Sequence, residues 1–452
     1  MISRFNVFND YKNGNIHYGE NLISFQGSVS GGAVDNDLVM EWTTASDGDT
    51  IELSGVASST LSYNYDVDWG DGSSESGITI NDKTHTYTTA GTYVVRIKSS
   101  STSFALDMSQ SSASNRVQLT KFSNWGNVAL QSVRNMFMNA TAMVYEATDY
   151  PNLTAMNPVN SNTYKSARQM FRNCTSITAL DISNWQNLDE LVHSQSWQYF
   201  IYDCKGMETF NGSNLTASST NTTFIYFASN VGINATNGCN FTMNDVSITG
   251  ATDMSNMFRN LQLNTTMSLN NWTLKSTPNT CSMLNCFYDI DSNLGTGNVN
   301  LDLSSWTNTS SVKSFQNMFR GGDAFGEINM TNWDTSNVTN FAYMFYLCQQ
   351  LTKLEGLSGW SSASATSCAL MFFYTYKMSF PTATSNFGTA WATNLGSCTT
   401  FQGCFERCGY GQTGGYGNAP DVSNWDMSSV TNISSMFRLS RFTSAIDPSG
   451  WD

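Results

Sequence analysis

A Met-Phe pair returns along this chain from residue 136 to residue 437, and that recurrence restricts the possible folds more than any other feature. It occurs as Asn135-Met136-Phe137, Gln169-Met170-Phe171, Asn256-Met257-Phe258, Asn317-Met318-Phe319, Tyr343-Met344-Phe345, Leu370-Met371-Phe372 and Ser435-Met436-Phe437. Tyr199-Phe200, Cys286-Phe287 and Cys404-Phe405 read as degenerate copies. From Phe258 onward neighbouring anchors lie 29, 32, 26, 27, 33 and 32 residues apart. Phe200 and Phe258 are 58 apart, which places a worn unit between them near Phe224–Phe227. A period of this length is the mark of a solenoid, here of roughly ten units, in which each unit buries its core against its neighbours.

A Trp precedes most anchors: Trp125, Trp333, Trp360 and Trp425 stand 12 residues before theirs, and Trp185, Trp272, Trp306 and Trp391 stand 13 to 15 before. Each Trp ends a short segment of alternating character, such as Leu301-Asp302-Leu303-Ser304-Ser305-Trp306. Alternation of that kind is a half-buried strand. A polar turn follows, and the spacing of Val338–Phe345 predicts a short helical turn. One strand per unit predicts a parallel sheet with Trp stacked on Trp and Phe on Phe. Cys174, Cys348 and Cys408 fall three residues after an anchor Phe, as buried thiols in the same ladder would.

Side chains alternate across a strand, so Leu301 and Leu303 point inward while Asp302 and Ser304 point out. The matching outward pairs are Asp181 and Ser183, Ser268 and Asn270, Asn329 and Thr331, and Asp421 and Ser423. Stacked ~4.8 Å apart, they form a polar ribbon that serves as the candidate binding face. A merely solvated face would look the same, and both readings stay open.

These repeats resemble the BspA-like leucine-rich repeat in the variant found in mycoplasma-type surface lipoproteins. Ile328–Leu351, INMTNWDTSNVTNFAYMFYLCQQL, and Asp421–Arg438, DVSNWDMSSVTNISSMFR, carry the likeness. The resemblance implies a leucine-rich-repeat-type solenoid over 115–452 and a surface adhesin or binding protein, not an enzyme.

Residues 36–114 read differently. Alternation in Ile51–Leu53, Ser62–Asp68 and Thr92–Lys98 predicts strands, with Trp69-Gly70-Asp71-Gly72 as a hairpin turn. That turn, followed by His85, Tyr87, Gly91 and Tyr93, resembles a polycystic-kidney-disease-type (PKD) domain, which implies a β-sandwich. Asp66, Asp68 and Asp71 could be imagined around a cation. Alternation on a strand face plus a turn cap explains them better. Residues 1–35, polar with scattered aromatics, read either as a disordered terminus or as an arm that orders on a partner.

The net charge of −14 opposes phosphate backbones and anionic membrane surfaces, and no Lys/Arg-rich run offsets it. Charged residues are only 12% of the chain, so Asn, Ser, Thr and Gly must solvate the surface. The ten cysteines contain no CxxC pair, and the three histidines are His17, His85 and His193, too few ligands for zinc. No nucleophile elbow, HExxH, Walker loop or dinucleotide fingerprint occurs. Gly409–Asn418 is glycine-rich but lies in a return loop. No cofactor is expected, nor any membrane-spanning helix, since no stretch approaches ~18 apolar residues.

The expectation is therefore a mainly β protein with short helices: a PKD-like sandwich, then a solenoid. Its expected role is non-enzymatic. The first 25 residues lack the apolar core of a signal peptide. That favours a virion component (fibre, tail or head decoration) exposed on the virion surface. Its arm would join other virion proteins and its solenoid would bind a host-surface glycan or protein. An extracellular or cell-surface bacterial adhesin is the alternative, and homo-oligomerisation is open.

Overall fold

A computed structural model describes residues 8–10, 15–17, 35–56, 61–154, 156, 164–217, 221–278, 280–292, 299–380, 395, 397–410, 417–423 and 425–451. Two units separate, 1–35 and 36–452. Within the first, Phe8–Asp10 pairs antiparallel with Asn15–His17. The remainder of the expected arm lies outside the described residues, as do Trp391 and the centre of the Gly409–Asn418 loop.

The second unit opens with a β domain. Its larger sheet has the strand order Val144–Tyr145, Leu119–Asn124, Leu38–Thr44, Gly91–Ile97, Tyr65–Asp68, Ser74–Ile78. Thr50–Ser54 and Asp82–Thr86 form a separate antiparallel pair. Alternation decides which side of each strand is buried: Tyr65 and Val67 are inside while Asp66 and Asp68 face outward. The predicted hairpin turn is there, with the Trp69 amide donating to the Ser73 carbonyl at 3.0 Å. Gly70 sits at φ +82, and a Cβ would lie 2.6 Å from the Val94 carbonyl oxygen, so both the conformation and the close approach require glycine.

Two motifs distant in sequence meet in this domain. The Trp69 and His85 rings stack at 4.7 Å, and the Tyr87 and Tyr93 rings at 3.8 Å. The Tyr87 hydroxyl donates to the Trp69 carbonyl at 2.8 Å. His85 Nε2 lies 2.8 Å from Asp71. Burial pushes the Asp71 carboxyl up, but hydrogen bonds from Ser73 and His85 outweigh it and hold the group at about 2.

No linker separates the β domain from the repeats. Strand Leu119–Asn124 pairs antiparallel with Leu38–Thr44 and parallel with Val144–Tyr145. Phe122 packs on Trp125 and on Phe137, the first anchor, so one core continues into the other.

The repeats form a parallel β-solenoid of about nine coils. The first line of strands runs as two parallel sheets, Ala179–Asp181, Thr209–Asn211, Cys239–Thr242, Gln262–Ser268 and Asp291–Ser292 in one, and Val299–Asp302, Phe325–Asn329 and Lys353–Glu355 in the other. A second ladder, which the sequence did not announce, leads into each Met-Phe turn. It joins Thr222–Thr223, Ala251–Asp253, Cys281–Ser282 and Val312–Ser314, and single bridges extend it through Asn340, Ser367, Thr400 and Asn432. Thr216, Ser247, Thr273 and Thr307 bridge in a third line, one residue past the Trp position. Leu215 and Val246 therefore occupy that position in two coils that lack a Trp there.

The Met-Phe segment is not the short helix its spacing predicts. Among the described residues the one α-helix is Ala113–Gln118, before the repeats. In the coil of Phe345, the amides of Tyr343, Phe345 and Leu347 donate to Ala369, Met371 and Phe373 of the next coil. The intervening amides of Met344, Tyr346 and Cys348 instead donate three residues back within their own coil. This alternation needs positive φ at the residue before Met and again four residues later: Asn135 and Asn139, Asn256 and Asn260, Tyr343 and Leu347. Left-handed backbone costs an ordinary residue about 1–2 kcal/mol, and Asn and Asp tolerate it best. Seventeen of the 27 described non-glycine residues at positive φ are Asn or Asp. The asparagine-rich composition is thus a backbone requirement as well as a solvation device.

The same register corrects one assignment. Ile201 and Ala228, not Phe200 and Phe227, make the hydrogen bond of the anchor Phe, and the predicted worn unit is the coil of Ala228. The rings still stack, Phe200 on Phe227 at 5.4 Å. From Phe258 to Phe437 seven anchor rings form one stack with centroid spacings of 5.2, 5.0, 5.4, 5.3, 5.5 and 5.3 Å. Trp185, Trp272, Trp306, Trp333, Trp360 and Trp425 are all buried. They do not form one unbroken column: Trp272, Trp306 and Trp333 stack in sequence, whereas Trp360 packs on Phe315 and Phe341. The indoles of Trp272, Trp306 and Trp333 donate to carbonyls of the preceding coil, at 2.5 to 2.8 Å.

All ten cysteines are buried free thiols. The thiols of Cys174, Cys204, Cys348 and Cys408 each donate to the anchor-position carbonyl one coil earlier, at 2.9–3.0 Å, which explains their fixed phase. Burial pushes Cys239, Cys281 and Cys408 up to about 12.

Candidate functional site

The outward positions Asp181, Ser268, Asp302 and Asn329 lie on paired strands, whereas Asp421 lies outside any strand among the described residues. Asp181, Asn211, Thr242 and Ser268 stand in one register, and Asp302, Asn329 and Glu355 in another. Asn211, Thr242 and Glu355 belong to this ribbon although sequence reasoning passed over them, because their coils lack the Trp or the alternating segment that flags the others. A shallow groove of about 310 Å³ runs over Asp181, Asn211, Asn240 and Thr242.

Much of the polar chemistry of the ribbon is spent on the backbone. Asp181 accepts from the amide and hydroxyl of Ser183 at 2.8 and 2.6 Å, and Asp421 does the same with Ser423 at 3.1 and 2.6 Å. The Ser304 amide donates to Asp302 and the Thr331 amide to Asn329. Ser268 and Asn270 both bond to the Asn244 side-chain oxygen instead. The Asp/Asn-x-Ser/Thr pattern is therefore a turn that ends each strand. One oxygen of each aspartate closes that turn, and the carboxylate still stands at the surface.

The carboxylates of the β domain do not converge. Asp66 accepts from the Gly77 amide and Ser100, Asp68 pairs with Lys98, and Asp71 is held by Ser73 and His85. Among the described residues no group of three His, Cys, Asp or Glu side chains gathers as a metal site would require. His193 has a local task, its Nδ1 accepting from the Gln195 amide.

A second face was missed in the sequence. The Met-Phe turns bury Met and Phe and turn the flanking side chains outward, and those are rich in Arg and Tyr. Arg172 lies 5.6 Å from the ring centroids of both Tyr199 and Tyr202. Arg259 lies 5.0 Å from Tyr288, and Arg320 lies 4.6 Å from Tyr346. The available signal was the residue directly after the anchor, which is Arg in Phe171-Arg172, Phe258-Arg259, Phe319-Arg320 and Phe437-Arg438.

Residues 252–387 and 399–452 match a family model described as "Mycoplasma protein of unknown function, DUF285". No curated protein and no solved structure matches the chain. The matched segments and the solenoid together fit a BspA-like repeat protein. A repeat solenoid of this kind is consistent with a non-enzymatic structural or surface protein.

Proposed function

We propose that this chain is a non-enzymatic display protein whose solenoid binds a glycan or protein on a host surface. The observation that carries the reading is the solenoid itself: a continuous stacked core that repeats the same outward positions coil after coil on a rigid backbone. Rigidity spares a ligand the ordering cost that a loop would impose. The strand ribbon of Asp181, Asp302, Asn329 and Asp421 is one binding face in this proposal. The β domain, where the Trp69–Gly72 and His85–Tyr93 motifs meet, supports a PKD-type spacer, and residues 1–35 serve as the attachment arm to other virion proteins.

The primary setting is the surface of a virion. The second reading, a bacterial cell-surface adhesin, draws support from the match to a mycoplasma family over the later coils. Gold-labelled antibody on cultures of the source organism separates them: particles on virions favour the first and particles on cell envelopes the second. Label confined to the cytosol, or release of reducing sugar from host polysaccharide by the purified chain, would defeat the proposal.

A further inference from the structure

We propose that the outer edge of the Met-Phe turns, from Arg134 to Arg320, is a binding site for a carboxylated glycan. This rests on the surface-binding reading above and names both a different face and a ligand chemistry for it.

The distribution of charge is the first observation. The protein carries −14 overall, yet every arginine beyond residue 120 lies in or beside a Met-Phe turn. Stacking the coils brings them together on one edge. Among the described residues no carboxylate forms an ion pair with Arg134, Arg168 or Arg172, while Asp289 is the carboxylate that faces Arg259. The Nε atoms of Arg134 and Arg168 are buried with no hydrogen-bond partner. Burial and the neighbouring Arg134 push the Arg168 guanidinium below its usual range, the direction expected when like charges crowd without a counter-ion. Crowded cations left unpaired in an acidic protein imply an anion supplied from outside.

The second observation is the arrangement of the rings. A groove of about 550 Å³ runs along the edge, lined by Arg172, Tyr199, Tyr202, Tyr226, Arg259 and Asp289 among others. Tyr199 and Tyr226 stack at 5.3 Å across neighbouring coils. Stacked face to face, they turn ring edges rather than faces toward the groove, between Arg172 on one side and Arg259 on the other. The lining is mainly polar, and sugar hydroxyls would bond to amides such as Asn230 and Asn260, which also line the groove. A carboxylate on the ring meets the guanidinium in the planar two-pronged geometry that arginine favours. Coils ~4.8 Å apart present these contacts repeatedly to an extended polymer.

Polyphosphates fit less well. Asp289 stands in the groove itself, and a polyphosphate, with a charge on every phosphorus, would meet it and the surrounding negative field at higher charge density than a glycan with one carboxylate per sugar ring.

The test uses the full-length protein and three polymers: polysialic acid, polygalacturonic acid and neutral dextran, titrated by calorimetry. At least one acidic polymer is expected to bind, more weakly as NaCl is raised, and dextran is not. Binding of polysialic acid alone assigns a sialylated source, and of polygalacturonate alone a uronate source. Arg172→Glu with Arg259→Glu should weaken binding by roughly 100-fold, about tenfold for each charge. Should the double reversal fail to fold by circular dichroism, Tyr202→Ser and Arg172→Gln replace it, with at least ~10-fold loss expected. The proposal is overturned if neither acidic polymer binds, if dextran binds equally, or if the folded edge variants bind like wild type. Host-cell binding that persists without acidic-polymer binding sinks this proposal alone. Loss of both sinks the surface-binding reading with it.

Discussion

The solenoid has two halves that obey the same backbone rule with different side chains. From Phe258 to Phe437 every anchor is Phe and the rings form one near-parallel stack. Between Phe137 and Phe258 the anchor position passes to Ile201 and Ala228, the Trp position passes to Leu215 and Val246, and the ring contacts are mixed, tilted for Phe137 on Phe171, edge-on for Phe171 on Phe200 and stacked for Phe200 on Phe227. Yet the inter-coil hydrogen bonds never lose register. Phe171 donates to Phe200, Ile201 to Phe227 and Ala228 to Met257, as Phe319 donates to Met344. The conserved element of the architecture is thus the alternating amide ladder with its paired positive-φ residues. The aromatic ladder is one way of filling the space beneath it. The family match begins at residue 252, close to where the anchor side chains become regular.

Substitutions at equivalent positions can break this comparison. Trp333→Ala in the regular half should lower stability by about 3–5 kcal/mol, because the indole fills a stacked column and its N–H anchors the Leu303 carbonyl. Val246→Ala at the corresponding place should cost only about 1–2 kcal/mol, since it deletes two methyl groups. Urea unfolding of both measures the difference, and equal losses would mean the halves are packed alike. Ala228→Phe restores the anchor consensus on paper. We expect it to destabilise by about 1–3 kcal/mol, because Phe227, Phe224 and Trp197 already occupy that space. A gain in melting temperature would show the worn coil to be underfilled instead.

Smaller effects sharpen the backbone half of the argument. Leu439 sits at φ +58 with its side chain exposed, so Leu439→Asn should raise stability by about 0.5–1 kcal/mol. The thiols should respond alike in both halves. Burial raises Cys239 in the irregular coils and Cys281 and Cys408 in the regular ones to about 12, from an ordinary 9.0. Folded-state values above the unfolded one mean stability is intact below pH 9 and declines as pH rises from there towards 12. Melting curves across that interval test the sign. At neutral pH the folded protein should gain no mass with iodoacetamide, while ten additions should follow denaturation.

The strand-plus-turn solenoid was legible because Trp306, Trp333 and their strands repeat in both spacing and alternation. The Met-Phe turn was misread as helical because buried Met and Phe beside polar neighbours mimic a 3.6-residue period. A left-handed residue on either side of the pair leaves its mark only as Asn in Asn256-Met257-Phe258 and its relatives. The strand ribbon was readable because it is a local alternation. The Arg-Tyr edge was not, since Arg172, Tyr199 and Arg259 lie far apart in sequence and meet only when coils stack.

The amide ladder has an electrical consequence. Asn317, Phe319 and Gly321 point their N–H groups toward the later coil, and the carbonyls of Gln316, Met318 and Arg320 accept from the earlier one. The same polarity recurs from Asn135 to Arg407. Peptide dipoles aligned this way add, as they do along a helix axis, with the positive end toward the later coils. The edge therefore carries a potential gradient along its length, and an anionic polymer lying on it would have a preferred direction of travel.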